Sequence, residues 1–275
     1  MIDISKIYSI LLSEVKREAP FTPKLGIVLG SGLGDFAKSL QIIKTIDTEK
    51  LSDYPKSTVE GHSGKIHFAK YSDLPILLFQ GRVHFYEGYK IEECLLPIEI
   101  VKSLNCKYLL LTNAAGGINP FFAPGDLMLN KSFNSIFIKK EITKVIGATS
   151  STTKENFKKF PSEELNQIIK KSALEEKVDL KEGTYFFTSG PSYETPSEIK
   201  MISKVGGDAV GMSTVHEAIY AAYRGINVSA ISCITNLAAG ISDTKLSHEE
   251  VTQTAEKVKN KFERLIKRII ATIEY

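Results

Sequence analysis

The sequence predicts an α/β fold, and three observations carry that reading. Short apolar runs recur along the chain with turn or helix signals between them. Several of the intervening segments open with helix-capping residues. Nearly every apolar run also ends, at its carboxyl side, in glycines and reactive polar groups, and that is where open α/β sheets bind their ligands.

The chain has 275 residues, of which 43% are hydrophobic and 24% charged. This suits one globular domain, residues 1–275, with a sizeable core. The net charge of +3 is spread along the chain, too weak and diffuse a balance to argue for nucleic acid or a membrane surface. The three cysteines, Cys94, Cys106 and Cys233, form no CxxC pair. They read as reduced core thiols of a cytoplasmic protein.

At the start, Ile4, Ile7, Tyr8, Leu11, Leu12 and Val15 fall on one helical face behind Asp3 as N-cap. No basic stretch leads into an unbroken apolar core there, so a signal peptide is not expected, and no run reaches membrane-spanning length. Strands are expected at "LGIVLG", at "KIHFAKY" paired with "ILLFQ", and at "KYLLLTN", "DLMLN", "GTYFFTSG", "DAVGM" and "NVSAISCITN". Thr195, Pro196 and Glu198 form a helix-start signature, which Thr214 with Glu217 and Ser247 with Glu250 repeat. Gly225 is a natural stop for the second of these helices. The last helix carries an apolar stripe of Val251, Ala255, Val258, Phe262, Leu265, Ile269 and Ile273. Residues 131–182 are the least regular, and "GATSSTTKEN" within them reads as a mobile loop.

The strand ends carry the chemistry. In "VLGSGLGD" the glycines are spaced GxGxG, not GxGxxG, and no Walker lysine follows. Such a turn still lets backbone amides and the Ser31 hydroxyl approach an anion. His62 lies between glycines in "EGHSGK" and is a ligand candidate, whereas His67 belongs to the strand and reads as structural. In "GRVHFYEGY", Arg82 can hold a phosphate bidentately and His84 can add a donor. A plain solvated turn would not explain Phe85, Tyr86 and Tyr89 around those charges. Ser213 in "GMST" precedes a helix start, with His216 in the first turn. No HExxH pair or aspartate cluster suggests a metal, and no GxSxG elbow suggests a serine triad.

Together, "GSGLG", "GHSGK", "GRVHFYEGY", "NAAGG", "GPSYETPSE", "DAVGMST", "TN" and "SHEEV" resemble, in order and in register, the trimeric family of purine nucleoside phosphorylases. The likeness covers most of the chain outside residues 131–182. It implies one domain around a mixed, twisted central sheet flanked by helices, a homotrimer, and reversible phosphorolysis of purine nucleosides in salvage. Inorganic phosphate would be co-substrate, with no other cofactor and no metal. By resemblance, Ser31, His62, Arg82, His84, the Ala114 backbone and Ser213 hold phosphate, with Glu87 orienting that cluster. Tyr86, Met212 and His248 line the sugar. Tyr193, Glu194, Val210, Gly211 and Asn236 surround the base, with Ala115, Gly116, Met212 and Thr235 beside them. His84, Glu194, Asn236 and His248 are the residues expected to act in catalysis.

Donor–acceptor matching then favours 6-oxopurines, because the Asn236 amide can donate to O6 or N7 and Glu194 can accept from N1–H. The alternatives are methylthioadenosine phosphorylase, whose family pattern has Asp at the Asn236 position, and a non-catalytic nucleoside-binding protein, which would not need the anion cluster. Three departures from the family stand out. The "HINL…NPL" stretch is missing, so either Phe157 or Phe160 in "NFKKFP" is the candidate to reach a neighbouring subunit's site. His216 replaces a frequent Pro, and Tyr193 a frequent Phe.

Overall fold

The computed structural model describes residues 2–58, 63–147, 150–242 and 248–274. Among these described residues nine strands form the sheet: β1 (Leu25–Leu29), β2 (Gln41–Asp47), β3 (Lys65–Tyr71), β4 (Leu74–Gln80), β5 (Tyr108–Gly117), β6 (Leu127–Asn134), β7 (Leu180–Phe187), β8 (Ala209–Gly211) and β9 (Asn227–Leu237). Their order is β2-β3-β4-β1-β5-β8-β7-β6-β9. A further β5–β9 pairing closes β5, β8, β7, β6 and β9 into a ring. The sheet is mixed as expected: β1 runs parallel to β4 and β5, whereas β3 is antiparallel to β2 and β4.

Burial explains which strands show in the sequence. β1 is buried along its whole length, the mark of a strand covered on both faces. β2 does not register among the apolar runs because it is an edge strand whose Ile42 and Ile43 face solvent. Two large apolar clusters fill the two sides of the sheet. One packs Phe68, Phe79, Leu109 and Tyr185 beneath the helices Leu96–Ser103 and Val215–Tyr223. The other packs Ile27, Leu78 and Leu110 beneath the helices Glu163–Glu175 and His248–Glu274.

Three expectations are corrected. The opening helix breaks at Tyr8, and Ile7 is exposed, so the apolar face narrows to Ile4, Leu11, Leu12 and Val15, with Tyr8 partly buried against the same core. "GATSSTTKEN" is not a loop throughout: Ser150 caps a helix, Ser151–Lys158, by accepting the Thr153 N–H. "NAAGG" does not lie beyond its strand but forms the carboxyl end of β5, whereas "TN" closes β9 as expected. Asp3, Thr195 and Glu198 cap as expected. In the last helix Ala255, Val258, Phe262, Leu265 and Ile269 are buried and Ile273 is partly buried. The Ser247 cap and the side chains of Val251 and Glu250 lie outside the described residues.

Phe157 and Phe160 are partly buried against their own core, and the Phe160 ring stacks on Phe133 at 5.3 Å. His67 is structural, bonded to Thr45 Oγ1 and Gln80 Oε1. His216 is fully buried, edge-on to Phe187, and neither ring nitrogen has a hydrogen-bond partner among the described residues. Burial pushes its pKa down from 6.5 to about 4, with Glu217 opposing and Arg82 and His84 reinforcing the fall. The folded protein thus resists a proton that the unfolded chain takes up below pH 6.5. Stability is therefore undiminished above that pH and falls as pH drops towards 4, by about 3 kcal/mol for this one group. Thermal unfolding of His216→Leu between pH 7 and 4.5 should show a shallower loss of melting temperature than the parent. Equal pH slopes would refute the assignment.

Candidate active site

The carboxyl ends of the strands converge on one open pocket of about 280 Å³. Its phosphate-like end begins after β1. Gly30 is required there because a Cβ would meet the Asn113 Cα at 2.5 Å and the Thr112 carbonyl at 2.8 Å. That close approach lets the Gly30 N–H bond Thr112 Oγ1, and Ser31 follows directly at the pocket wall. Gly32 then takes a left-handed φ of 75° to turn the chain away.

After β4 comes "GRVHFYEGY". Arg82 is 3% exposed, and Val83 is buried with it. The Arg82 Nε donates to both oxygens of Glu217, at 3.1 and 2.9 Å, and Nη1 donates to the Thr112 carbonyl at 2.9 Å. The guanidinium is thereby fixed in plane and direction. Residues 85–87 form a tight turn closed by left-handed Gly88. Within it Glu87 accepts from the His84 backbone at 2.6 Å and lies 3.3 Å from Nδ1. Burial alone would raise the Glu87 carboxyl, but hydrogen bonds from His84 and Thr58 outweigh it and bring the pKa down to about 2. The carboxylate therefore stays charged and can hold the His84 ring in place. That ring stacks on Tyr86 at 4.8 Å and 19°. Tyr89 instead bonds the Lys56 carbonyl.

The opposite phosphate arm comes from β8. Met212 and Ser213 follow it, and Thr214 has a φ of 71°, unusual for a β-branched residue. Three contacts hold that conformation: the Thr214 N–H donates to Glu217 Oε2 at 3.1 Å, Asn113 Nδ2 donates to Thr214 Oγ1 at 3.0 Å, and the Ser213 and Thr214 hydroxyls lie 3.1 Å apart. Glu217, 0% exposed, thus holds Arg82 and the Ser213 strap together. In sequence its role is hidden, because it also completes a helix-start signature.

The other end of the pocket suits a base. Ala114, Ala115 and Gly116 of β5 form its floor, with Val210 and Gly211 of β8 beside them. Tyr193 and Glu194 close one side. Glu194 Oε1 accepts the Thr188 hydroxyl. Asn236 Oδ1 accepts the Thr235 hydroxyl at 2.9 Å, and Nδ2 donates to the Leu237 carbonyl at 3.1 Å, which leaves the amide a second N–H to offer. Gly190 lies against Met212 and Tyr86: a Cβ there would come within 2.5 Å of the Met212 sulfur and 3.0 Å of the Tyr86 ring.

Every expected site residue whose side chain is described lines this one pocket. His62 and the side chain of His248 lie outside the described residues, although His248 does open the last helix. Asn113, Pro191 and Ala238 also line the pocket. All three sit inside or beside the quoted motifs, so the motifs located them without naming them. No group of three metal-ligating side chains occurs among the described residues, and no described helix is long and apolar enough to cross a membrane.

The profile of the phosphorylase superfamily matches residues 24–271 of the chain. Purine nucleoside phosphorylase 1 of Geobacillus stearothermophilus is 41% identical over 260 residues, covering 93% of each chain. The Bacillus subtilis protein of the same name is 39% identical over 263 residues, covering 94% of this chain and 96% of the relative. Isoform 2 of the Schistosoma mansoni purine nucleoside phosphorylase, solved with cytosine and ribose-1-phosphate, superposes with a TM-score of 0.86 at 35% identity. That alignment covers 96% of this chain and 95% of the other. The chain belongs to the phosphorylase superfamily, alongside its purine nucleoside phosphorylases.

Proposed function

We infer that this chain is an enzyme that cleaves purine nucleosides reversibly with inorganic phosphate, giving the free base and (deoxy)ribose 1-phosphate. One observation carries the reading. A single pocket holds two nitrogen donors, the Arg82 guanidinium and the His84 ring, at one end and a carboxylate–amide pair, Glu194 and Asn236, at the other. The first end fits a phosphate and the second fits the edge of a purine. A purely binding protein would have no use for the first, and the reading as a methylthioadenosine phosphorylase is disfavoured by an amide at Asn236.

The chemistry follows from that separation. Cleavage of the glycosidic bond builds positive charge on the sugar and negative charge on the departing purine. A phosphate held by Ser31, Arg82, His84, Ser213 and the Ala114 backbone places its negative charge under the sugar, and phosphate is itself the nucleophile. Asn236 donates to O6 or N7 of the purine as it gains charge, while Glu194 accepts from N1–H. A 6-oxopurine offers that acceptor and that donor, so inosine and guanosine are the preferred substrates. Tyr86 and Met212 border the space between the two ends, where the ribose would lie. His62 is assigned to phosphate and His248 to the 5′-hydroxyl, both by family resemblance. We further assign the protein to purine salvage in the cytoplasm as a homotrimer, with Phe157 or Phe160 reaching a neighbouring site.

Hypoxanthine should be released from inosine only when phosphate is present. Equal release without phosphate would mean a hydrolase, and none in either case would overturn the proposal. Replacing Glu217 with Ala removes the acceptor that aims Arg82 and should raise the phosphate KM about tenfold or more. Glu217→Gln keeps one oxygen for both Arg82 and the Thr214 N–H but loses the neutralising charge, and its phosphate KM should rise clearly less than that of Glu217→Ala. If the two variants behaved alike, Glu217 would not act by aiming those groups. Finally, Asn236→Asp should shift the kcat/KM ratio from inosine towards 6-aminopurine nucleosides, and an unchanged ratio would remove Asn236 from the base site.

A further inference from the structure

Thr188 stands one residue beyond the end of β7 and is 8% exposed. It does not line the pocket, yet its hydroxyl donates to Glu194 Oε1 at 2.5 Å. Its own backbone is fixed, because the Thr188 N–H donates to the Gly211 carbonyl at 3.0 Å. Gly211 belongs to the pocket wall. The Glu194 carboxylate is therefore referenced, through one hydroxyl, to the same wall that would flank the base.

An O–H that donates to one carboxylate oxygen holds that oxygen in a defined place. It also leaves the carboxylate with acceptor capacity only. A 6-oxopurine presents a donor, N1–H, to such a group. A 6-aminopurine presents a lone pair at N1, which a carboxylate repels and which only a protonated acid could satisfy.

We propose that Thr188 is a specificity-determining residue: by donating to Glu194 it keeps that side chain a fixed acceptor, and so selects 6-oxopurine over 6-aminopurine nucleosides. The inference rests on the base-site reading above and adds a residue that does not touch the substrate. Thr188 acts through Glu194 and is a positioning residue.

The test compares Thr188→Val, which removes the hydroxyl with little change of shape, with Thr188→Ser, which keeps it. Steady-state phosphorolysis of inosine and adenosine is measured at neutral pH, with melting temperatures to show that both variants are folded. Thr188→Val should narrow the inosine-to-adenosine kcat/KM ratio about tenfold, through a higher inosine KM and an unchanged phosphate KM. Thr188→Ser should keep the parental ratio. A ratio in Thr188→Val within twofold of the parent would overturn the proposal, as would a Ser variant that behaves like Val. Glu194→Gln separates this failure from failure of the base-site reading. A ratio unmoved by Glu194→Gln would remove Glu194 from the base site, whereas a ratio moved by it but not by Thr188→Val would overturn the role of Thr188 alone.

Discussion

The site depends on one buried ion pair. Arg82 follows β4 and Glu217 lies in the first turn of the helix Val215–Tyr223, 135 positions further along the chain. Both are almost wholly buried, at 3% and 0% exposure. Two charges taken out of water at such a place must be well matched, because removing either partner leaves the other stranded at a cost of about 3–5 kcal/mol. Here the match is also geometric. The same carboxylate that neutralises the guanidinium accepts the N–H of Thr214, whose left-handed backbone would otherwise be strained. The carboxylate thus sets the direction of Arg82 and the position of Ser213 together.

This has an electrostatic consequence for an anion site. Both nitrogen donors of the anion end arrive with a carboxylate: Glu217 for Arg82, and Glu87 for His84. The cradle is therefore not a bare pocket of positive charge. Its grip on phosphate must come from oriented N–H and O–H donors more than from net charge. Such donors need no reorganisation when the ligand binds. A phosphorylase that must also release a sugar phosphate is well served by this balance, since excess charge would hold substrate and product alike.

Much of this is legible in the sequence, and the physical reason is local. Buried strands announce themselves as apolar runs, and a pocket at their carboxyl ends collects residues such as Ser31, Arg82, His84 and Glu194 into short quotable stretches. What stays hidden is of two kinds. β2 is an edge strand with exposed isoleucines, so its pattern carries no burial signal. Ring closure through β5 and β9 is a pairing between distant segments, and no local periodicity encodes it. The roles of Glu217 and Thr188 escape sequence reading for a related reason. A cap signature already explains the first, and the second lies at an apolar strand end whose hydroxyl gains meaning only when Glu194 folds back onto it.

The base end of the pocket repeats the logic of the phosphate end with hydroxyl donors. Each of its two reading groups has a hydroxyl of its own: Thr188 for the Glu194 carboxylate and Thr235 for the Asn236 amide oxygen. A carboxamide can present either its oxygen or its nitrogen, and a side chain with rotatable bonds can turn away from the ligand altogether. The Thr235 hydroxyl settles the first ambiguity by taking the amide oxygen, which leaves the nitrogen to face outward as a donor. The Thr188 hydroxyl limits the second by tethering one carboxylate oxygen. Together they convert two flexible polar side chains into one donor and one acceptor of defined place. Discrimination between purines then rests on groups fixed before the substrate arrives, and a mismatched base meets an unpaired polar atom rather than a side chain free to adapt.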